Sequence, residues 1–108
     1  MQIKIKLDNL KGVYGFKRDV PDGINLITPD IVIKKQFGIK ETLEFIVEAS
    51  RNIEFGLIAA YLASKCTDYH KEHKSDNLQI NGVTIKFNDG KADRVEIENI
   101  IKTTTSQE

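Results

Sequence analysis

The longest apolar run in the sequence is Phe55-Gly56-Leu57-Ile58-Ala59-Ala60-Tyr61-Leu62-Ala63, within a stretch of residues 43–73 around which the chain is organised. A helix that is apolar on nearly every side is either buried on several sides or shares its surface with another chain. The sequence therefore predicts a long central helix and leaves open whether it is core only or core and partner interface. Its apolar side chains form two neighbouring rows at helical spacing, Ile53, Leu57 and Tyr61 in one and Ile58, Leu62 and Cys66 in the other.

The composition describes a single packed domain without a strong field of its own. The 108 residues are 40% hydrophobic and 30% charged, which supports a folded core. Sixteen basic and sixteen acidic side chains cancel, so nothing draws the whole molecule to nucleic acid or to anionic lipid. Lys34, Lys35 and Lys40 around Phe37 form a small basic and aromatic patch, which a lysine-guarded edge strand explains equally well. A nucleic-acid partner is therefore not expected.

Alternating residues predict the strands. Residues 2–7 alternate apolar with polar side chains, and residues 24–27 and 31–33 are rich in isoleucine. Asn81-Gly82 stands between two further alternating runs, which is the strongest short hairpin signal. We expect an α+β fold: a small, mostly antiparallel sheet of an N-terminal strand, middle strands and a C-terminal hairpin, packed on one long central helix with one or two shorter helices. Residues 1–102 would form this domain and 103–108 a flexible polar tail.

Three segments remain ambiguous from sequence. Residues 13–17 fit a short strand or an irregular loop, because Gly12 and Gly15 lower any regular assignment. Residues 39–49 favour a helix, although their second half also fits a strand. After Asp93, which can cap a helix, the apolar positions of residues 95–101 favour a short helix with a third strand as the alternative.

The one cluster with metal-ligand character is Cys66, His70 and His73. Spacings of four and three residues place them on one helical face, and thiolate and imidazole are good zinc ligands. A closed tetrahedral site would need a fourth ligand from Glu72 or Asp76. The competing interpretation is a buried cysteine beside two solvated histidines at a helix end.

No other pattern nominates catalytic chemistry or a cofactor. The glycines do not form a phosphate-binding loop, and no serine lies in a nucleophile-elbow context. The single cysteine excludes an intrachain disulfide, and the alternating N-terminus is unlike a signal peptide, which together favour the cytoplasm. The nine-residue apolar run is much shorter than the ~20 residues of a membrane span.

Half of the chain resembles a known family of small domains. The stretches concerned are the apolar run of residues 55–62, the hairpin sequence of residues 78–87 and Ile97-Glu98-Asn99-Ile100-Ile101. In this order they look like the effector-associated constant component family, small α/β domains encoded within bacterial conflict systems. The Gly- and Pro-rich character of that family's first half is largely missing here. The resemblance implies an adaptor for effectors, with no catalytic role.

Two functional hypotheses follow from these observations. The first is a non-enzymatic protein-interaction module, an adaptor or regulator in a bacterial defence system or a phage-encoded inhibitor, that forms a homodimer. Its interface would involve Leu57, Ile58, Tyr61 and Leu62, on the helix that is apolar all round. The alternative is a small metal-binding regulator or enzyme that uses Cys66, His70 and His73.

Overall fold

The residues that the structure describes form one five-stranded sheet, a small hairpin and three helices. The computed structural model describes residues 1–8, 12–27, 43–74 and 77–105. The α+β class predicted from the sequence is confirmed, with a mostly antiparallel sheet packed against a long central helix and two shorter ones. In chain order the elements are β1 (Gln2–Leu7), α1 (Gly12–Phe16), β2 (Ile24–Ile27), β3 (Leu43–Ala49), α2 (Phe55–His73), β4 (Gln79–Ile80), β5 (Val83–Thr84), β6 (Phe87–Asn88), β7 (Lys91–Ala92) and α3 (Arg94–Thr105).

The sheet has the order β2-β3-β1-β4-β5, and every neighbouring pair is antiparallel. The N-terminal strand β1 lies at its centre, where Ile3, Ile5 and Leu7 are fully buried while Gln2 and Lys4 are exposed. A strand with one apolar face and one polar face can cover a core with a single side, so the helices pack on one face of the sheet.

The segment Leu43–Ala49 is a strand, and the helix favoured from the sequence is wrong there. It pairs with β1 along its whole length, from Leu7 opposite Leu43 to Gln2 opposite Glu48, and with β2 on its other side. Alternate side chains such as Phe45 and Val47 are buried, so pairing on both edges and burial of one face select the strand over the helix. Residues 28–42, including the predicted strand at 31–33 and the basic patch around Phe37, lie outside the described part of the chain.

The central helix α2 is covered from several directions by the rest of the chain. It contacts α1, α3 and the β6–β7 hairpin, and it shares the hydrophobic core with the sheet. This explains why its sequence is apolar nearly all round. It ends at Lys74, which adopts the left-handed conformation and donates its N–H to the carbonyl of His70. Its buried residues are Ile58, Ala59, Tyr61, Leu62, Ala63, Cys66 and Tyr69.

Residues 12–16 form a five-residue helix, and neither the strand nor the loop expected there is present. Tertiary contacts hold it, because Phe16 packs edge-on against Phe45 with ring centroids 5.3 Å apart. The hydroxyl of Tyr61 donates to the Phe16 carbonyl at 2.5 Å. The first residue, Gly12, lies against the ring of Tyr69 so closely that a side chain would not fit.

Two tight turns and a capped helix complete the fold. Asn81 and Gly82 both have positive φ, at 49° and 82°, as the predicted type I′ hairpin turn requires. Asp89 and Gly90 repeat the geometry between β6 and β7, so the run expected as one strand through residue 87 is divided between two hairpins. The carboxylate of Asp93 accepts the N–H of Val95 at 3.0 Å and caps α3, so the helix expected there is confirmed.

The helix α3 continues through Thr105, three residues into the segment expected to be a flexible tail. Thr103 and Thr104 donate their hydroxyls to the carbonyls of Asn99 and Ile100 one turn earlier. Residues 106–108 lie outside the described chain, and the flexibility of the end of the chain stays a prediction.

Candidate interaction surfaces

The three candidate metal ligands share a helical face but do not share surroundings. Cys66 is fully buried in the core. His70 stacks on Phe87 of the small hairpin, with ring centroids 4.1 Å apart and an interplanar angle of 12°. The ring of His73 lies against that of Tyr69, with ring centroids 5.0 Å apart. Among the described residues, no three His, Cys, Asp or Glu side chains are gathered where they could hold a metal ion.

Burial also sets the chemistry of the Cys66 thiol. Desolvation raises its pKa far above the ordinary value of 9.0, so the thiol keeps its proton at neutral pH. Burial likewise raises the pKa of Tyr61 to about 12, and a smaller electrostatic contribution from the neighbouring Cys66 acts in the same direction. In this apolar surrounding the protonated thiol packs as a small apolar core residue.

The four residues expected near a partner interface fall into two groups. Ile58, Tyr61 and Leu62 are buried by the chain's own sheet and helices, so their side chains belong to the core. Leu57 is different, because 62% of it is exposed in the first turn of α2. Phe55, at the start of the same turn, is 37% exposed. Both lie in the first turn of the helix, and we call the surface around that turn the α2 entry surface.

A second apolar surface lies between the edge strand β5 and the outer side of α3. Val83 is 40% exposed and Val95 is 56% exposed, and with the half-buried Ile100 they supply the apolar part of a groove of about 470 Å³. Asp93 and Glu96 add carboxylates to its lining. We call this the β5–α3 groove.

Sequence reasoning missed the groove, although a signal was present. Val95, Ile97, Ile100 and Ile101 were assigned to one short amphipathic helix, but they do not all point the same way. Ile97 and Ile101 are four residues apart and fully buried. Val95 lies away from this buried face and Ile100 lies at its side. The segment therefore carries more apolar residues than one buried face accounts for, and this excess was the signal of a second apolar surface.

Asn81 connects the β4–β5 turn, beside one wall of the groove, to α3, which forms the other wall. The side-chain oxygen of Asn81 accepts the N–H of Lys4 at 2.8 Å, and its backbone N–H donates to the Lys4 carbonyl at 2.8 Å, which extends the β1–β4 pairing by one residue. Its amide nitrogen donates to the hydroxyl of Thr104 at 2.7 Å. The β4–β5 turn and the C-terminal part of α3 are thereby held together.

Two further cavities have polar linings. One, of about 620 Å³, brings His70, Lys71, Lys74 and Lys91 together between the end of α2 and the β6–β7 turn. The C-terminal end of a helix dipole is negative, so the three lysines complement the helix itself. The other, of about 500 Å³, lies on the open face of the sheet around Lys4, whose ammonium group contacts Glu44 at 3.4 Å in an exposed ion pair of little energetic weight.

Comparisons with protein-family models, with curated proteins and with solved structures find no match to this chain. Within the described residues no helix has the length and apolar character that crossing a bilayer demands.

Proposed function

We propose that the protein is a non-enzymatic interaction module of the bacterial cytoplasm that pairs with a second copy of itself through the α2 entry surface. In this role it would act as an adaptor or regulator in a bacterial defence system, or as a phage-encoded inhibitor, as its resemblance to the effector-associated constant components implies. The observation that supports the proposal is the exposure of Leu57 and Phe55 at the start of a helix whose other large apolar side chains are buried.

The charges near this surface favour a copy of the same chain as the partner. A two-fold interface brings the same patch together from both subunits, so the patch must complement itself. Arg51 and Glu54 are both exposed and directly precede the first turn of α2, and they carry opposite charges. In a two-fold pair each can face its opposite on the other copy. The net charge of zero adds no repulsion between the two molecules.

The expected dimer is weak. Burying a whole leucine or phenylalanine contributes about 1.5–3 kcal/mol, so the exposed 62% of Leu57 and 37% of Phe55 offer roughly 1.5–3 kcal/mol per copy. Two copies double that contribution, but association costs at least about 4 kcal/mol in lost translation and rotation. The surplus is at most about 2 kcal/mol, whereas a dissociation constant of about 1 mM requires about 4 kcal/mol. The two-fold Arg51–Glu54 pairs and the contacts around them must supply the difference for dimers to form at high micromolar to millimolar concentration.

Static light scattering and analytical ultracentrifugation across 10 µM to 1 mM test the proposal. The unmutated protein should change from monomer to dimer over this range. Leu57→Lys should give a folded monomer at every concentration, because its position is exposed. The matched control is Val95→Lys, which places the same charge at a similarly exposed position on α3 and should still dimerise.

A third variant checks the assignment of core and surface. Ile58→Lys would bury a charge in the core and should unfold the chain. A monomer for the unmutated protein at 1 mM, or equal dimerisation of Leu57→Lys and the control, would refute self-pairing through this surface.

A further inference from the structure

The edge strand β5 exposes backbone hydrogen-bonding groups beside the β5–α3 groove. In the sheet order β2-β3-β1-β4-β5, this strand pairs with β4 and stands at the end of the described sheet. The N–H of Ile85 donates to the carbonyl of Leu78 at 2.9 Å, which makes these two residues a hydrogen-bonded pair. Bonded and non-bonded pairs alternate in antiparallel strands, so Thr84 opposite Gln79 is a non-bonded pair. Both the N–H and the C=O of Thr84 therefore point away from β4.

The side-chain alternation of β5 places apolar surface next to those groups. Val83 lies opposite Ile80, which is fully buried on the core face of the sheet, so Val83 points to the same face. Across the groove from it, Val95 and Ile100 extend from α3. A chain that paired with Thr84 would direct every second side chain between Val83 and the two α3 residues.

We propose that the β5–α3 groove binds an extended peptide segment of a partner protein, whose groove-facing side chains, at every second position, are aliphatic residues together with a Lys or Arg. The peptide adds a strand to β5 through the backbone of Thr84 and lies along α3. This is strand addition to an exposed sheet edge, in which main-chain hydrogen bonds supply affinity and side-chain pockets supply specificity. It goes beyond the proposed self-pairing, and no residue of the α2 entry surface lines the groove.

The preference for a basic peptide rests on the charges around the groove. Asp93 and Glu96 are the charged side chains in its described lining, and both are acidic. A complementary segment presents cations to them, whereas an acidic segment would be repelled. Because the carboxylate of Asp93 is also the cap of α3, Glu96 is the better position for a charge test.

The groove is preorganised along its length, so little binding energy is lost in ordering it. Asn81 ties the turn of the β5 hairpin to Thr104 near one end of α3, and Asp93 caps the other end. The helix has 12 residues and is about 18 Å long at 1.5 Å per residue. An extended chain rises about 3.3 Å per residue, so a peptide of about six residues spans the groove.

The binding experiment uses capped hexapeptides in which every second residue reads valine, X, valine, with X as lysine, threonine or glutamate, and in which threonine fills the positions between them. Each series is titrated into the unmutated protein and followed by amide chemical shifts and fluorescence anisotropy. The lysine series should bind at least tenfold more tightly than the glutamate series, with the threonine series between them. The largest shifts should fall on Thr84 and on the groove side of α3.

Changes to the peptide separate strand addition from simple apolar contact without any risk to the fold of the protein. An extended peptide has two backbone edges, and N-methylation of every second residue blocks one of them. One pattern of methylation should abolish binding, while the complementary pattern should leave it within about twofold. Equal effects of both patterns would overturn strand addition.

Three protein variants test the individual contacts. Thr84→Pro removes the outward N–H at a position where β4 loses no hydrogen bond, and Thr84→Ala is its matched control. The proline variant should weaken all peptides at least tenfold and the alanine variant less than twofold. Glu96→Gln should weaken the lysine series about fivefold and leave the threonine series unchanged.

Several results would overturn the proposal. No detectable binding of any series at millimolar peptide, or binding that Thr84→Pro leaves intact, would remove the peptide site. Self-association that Thr84→Pro abolishes would assign the edge to a second copy of the chain. Peptide-induced shifts confined to residues 28–42 would mean that this segment of the chain is the occupant. Binding unaffected by Leu57→Lys, in contrast, is expected, because that variant alters the other surface.

Discussion

The contact between Gly12 and Tyr69 offers the sharpest stability test of the fold. A Cβ built on Gly12 would lie 2.2 Å and 2.4 Å from two ring carbons of Tyr69 and 3.3 Å from the side chain of Leu7. Carbon atoms in contact are normally about 3.5–4.0 Å apart, so Gly12→Ala would overlap the ring by more than 1 Å. The ring has little freedom to move, because Tyr69 is buried and its hydroxyl donates to Asp8 at 2.5 Å.

The expected cost of Gly12→Ala is that of overpacking a core, about 1–3 kcal/mol, because either α1 or the tyrosine must shift. In a domain of this size each kcal/mol lowers the melting temperature by roughly 4–8 °C. Differential scanning calorimetry and urea unfolding should therefore show a loss of about 4–24 °C. The matched control is Gly15→Ala in the same helix, where an added Cβ meets nothing within 4 Å. That variant should be neutral or gain about 0.5–1 kcal/mol.

A double variant distinguishes the clash from a general weakness of α1. Tyr69→Leu shortens the side chain that Gly12→Ala would strike, so the two changes together should cost less than the sum of their separate effects. Residues in direct contact commonly show coupling of about 0.5–3 kcal/mol. Equal melting temperatures for Gly12→Ala and Gly15→Ala, or strictly additive effects in the double variant, would refute the contact.

Two further predictions concern the hairpin turn and the buried ionisable groups. Gly82→Val should lower the free energy of unfolding by about 1–2 kcal/mol, because φ is +82° at this position although the space around it is open. Gly82→Asn should cost much less, since asparagine tolerates positive φ. Equal losses in the two variants would contradict the type I′ turn. Raising the pH should lower the free energy of unfolding from about pH 9 upward, because the unfolded chain releases the Cys66 proton near 9.0 while the folded chain retains it. Tyr61 adds the same effect between pH 10 and about 12. Urea unfolding across this pH range should show a smaller slope for Cys66→Ala than for the unmutated protein.

Local patterns in the sequence were sufficient for the elements whose conformation is decided by near neighbours. The strict alternation of β1 requires one face in the core wherever the strand is placed. Asn81-Gly82 makes a type I′ turn because only residues that tolerate positive φ allow it, and Asp93 caps α3 through the N–H two residues later. The length of the apolar run likewise indicated a central helix before any packing was known.

The elements decided by distant partners were not accessible in this way. Leu43–Ala49 carries both helical and strand patterns, and its pairing with β1 on one side and β2 on the other selects the strand. The short helix α1 depends on Tyr69 and Tyr61, which lie more than forty residues further along the chain. No local pattern contains those contacts.

The same distinction between local sequence and tertiary structure holds for the candidate surfaces. That α2 carries apolar side chains all round is a property of the sequence, but which of them stay exposed depends on how α1, α3, the small hairpin and the sheet cover it. Ile58 and Leu57 are adjacent in the chain, yet one is fully buried and the other is 62% exposed. The β5–α3 groove brings together Val83 on a strand and Val95 on a helix, twelve residues further along the chain. The two are neighbours only because α3 packs beside the hairpin. Residue types and periodicity determine which side chains are stabilised by burial, whereas the tertiary structure determines which of them are buried within one chain.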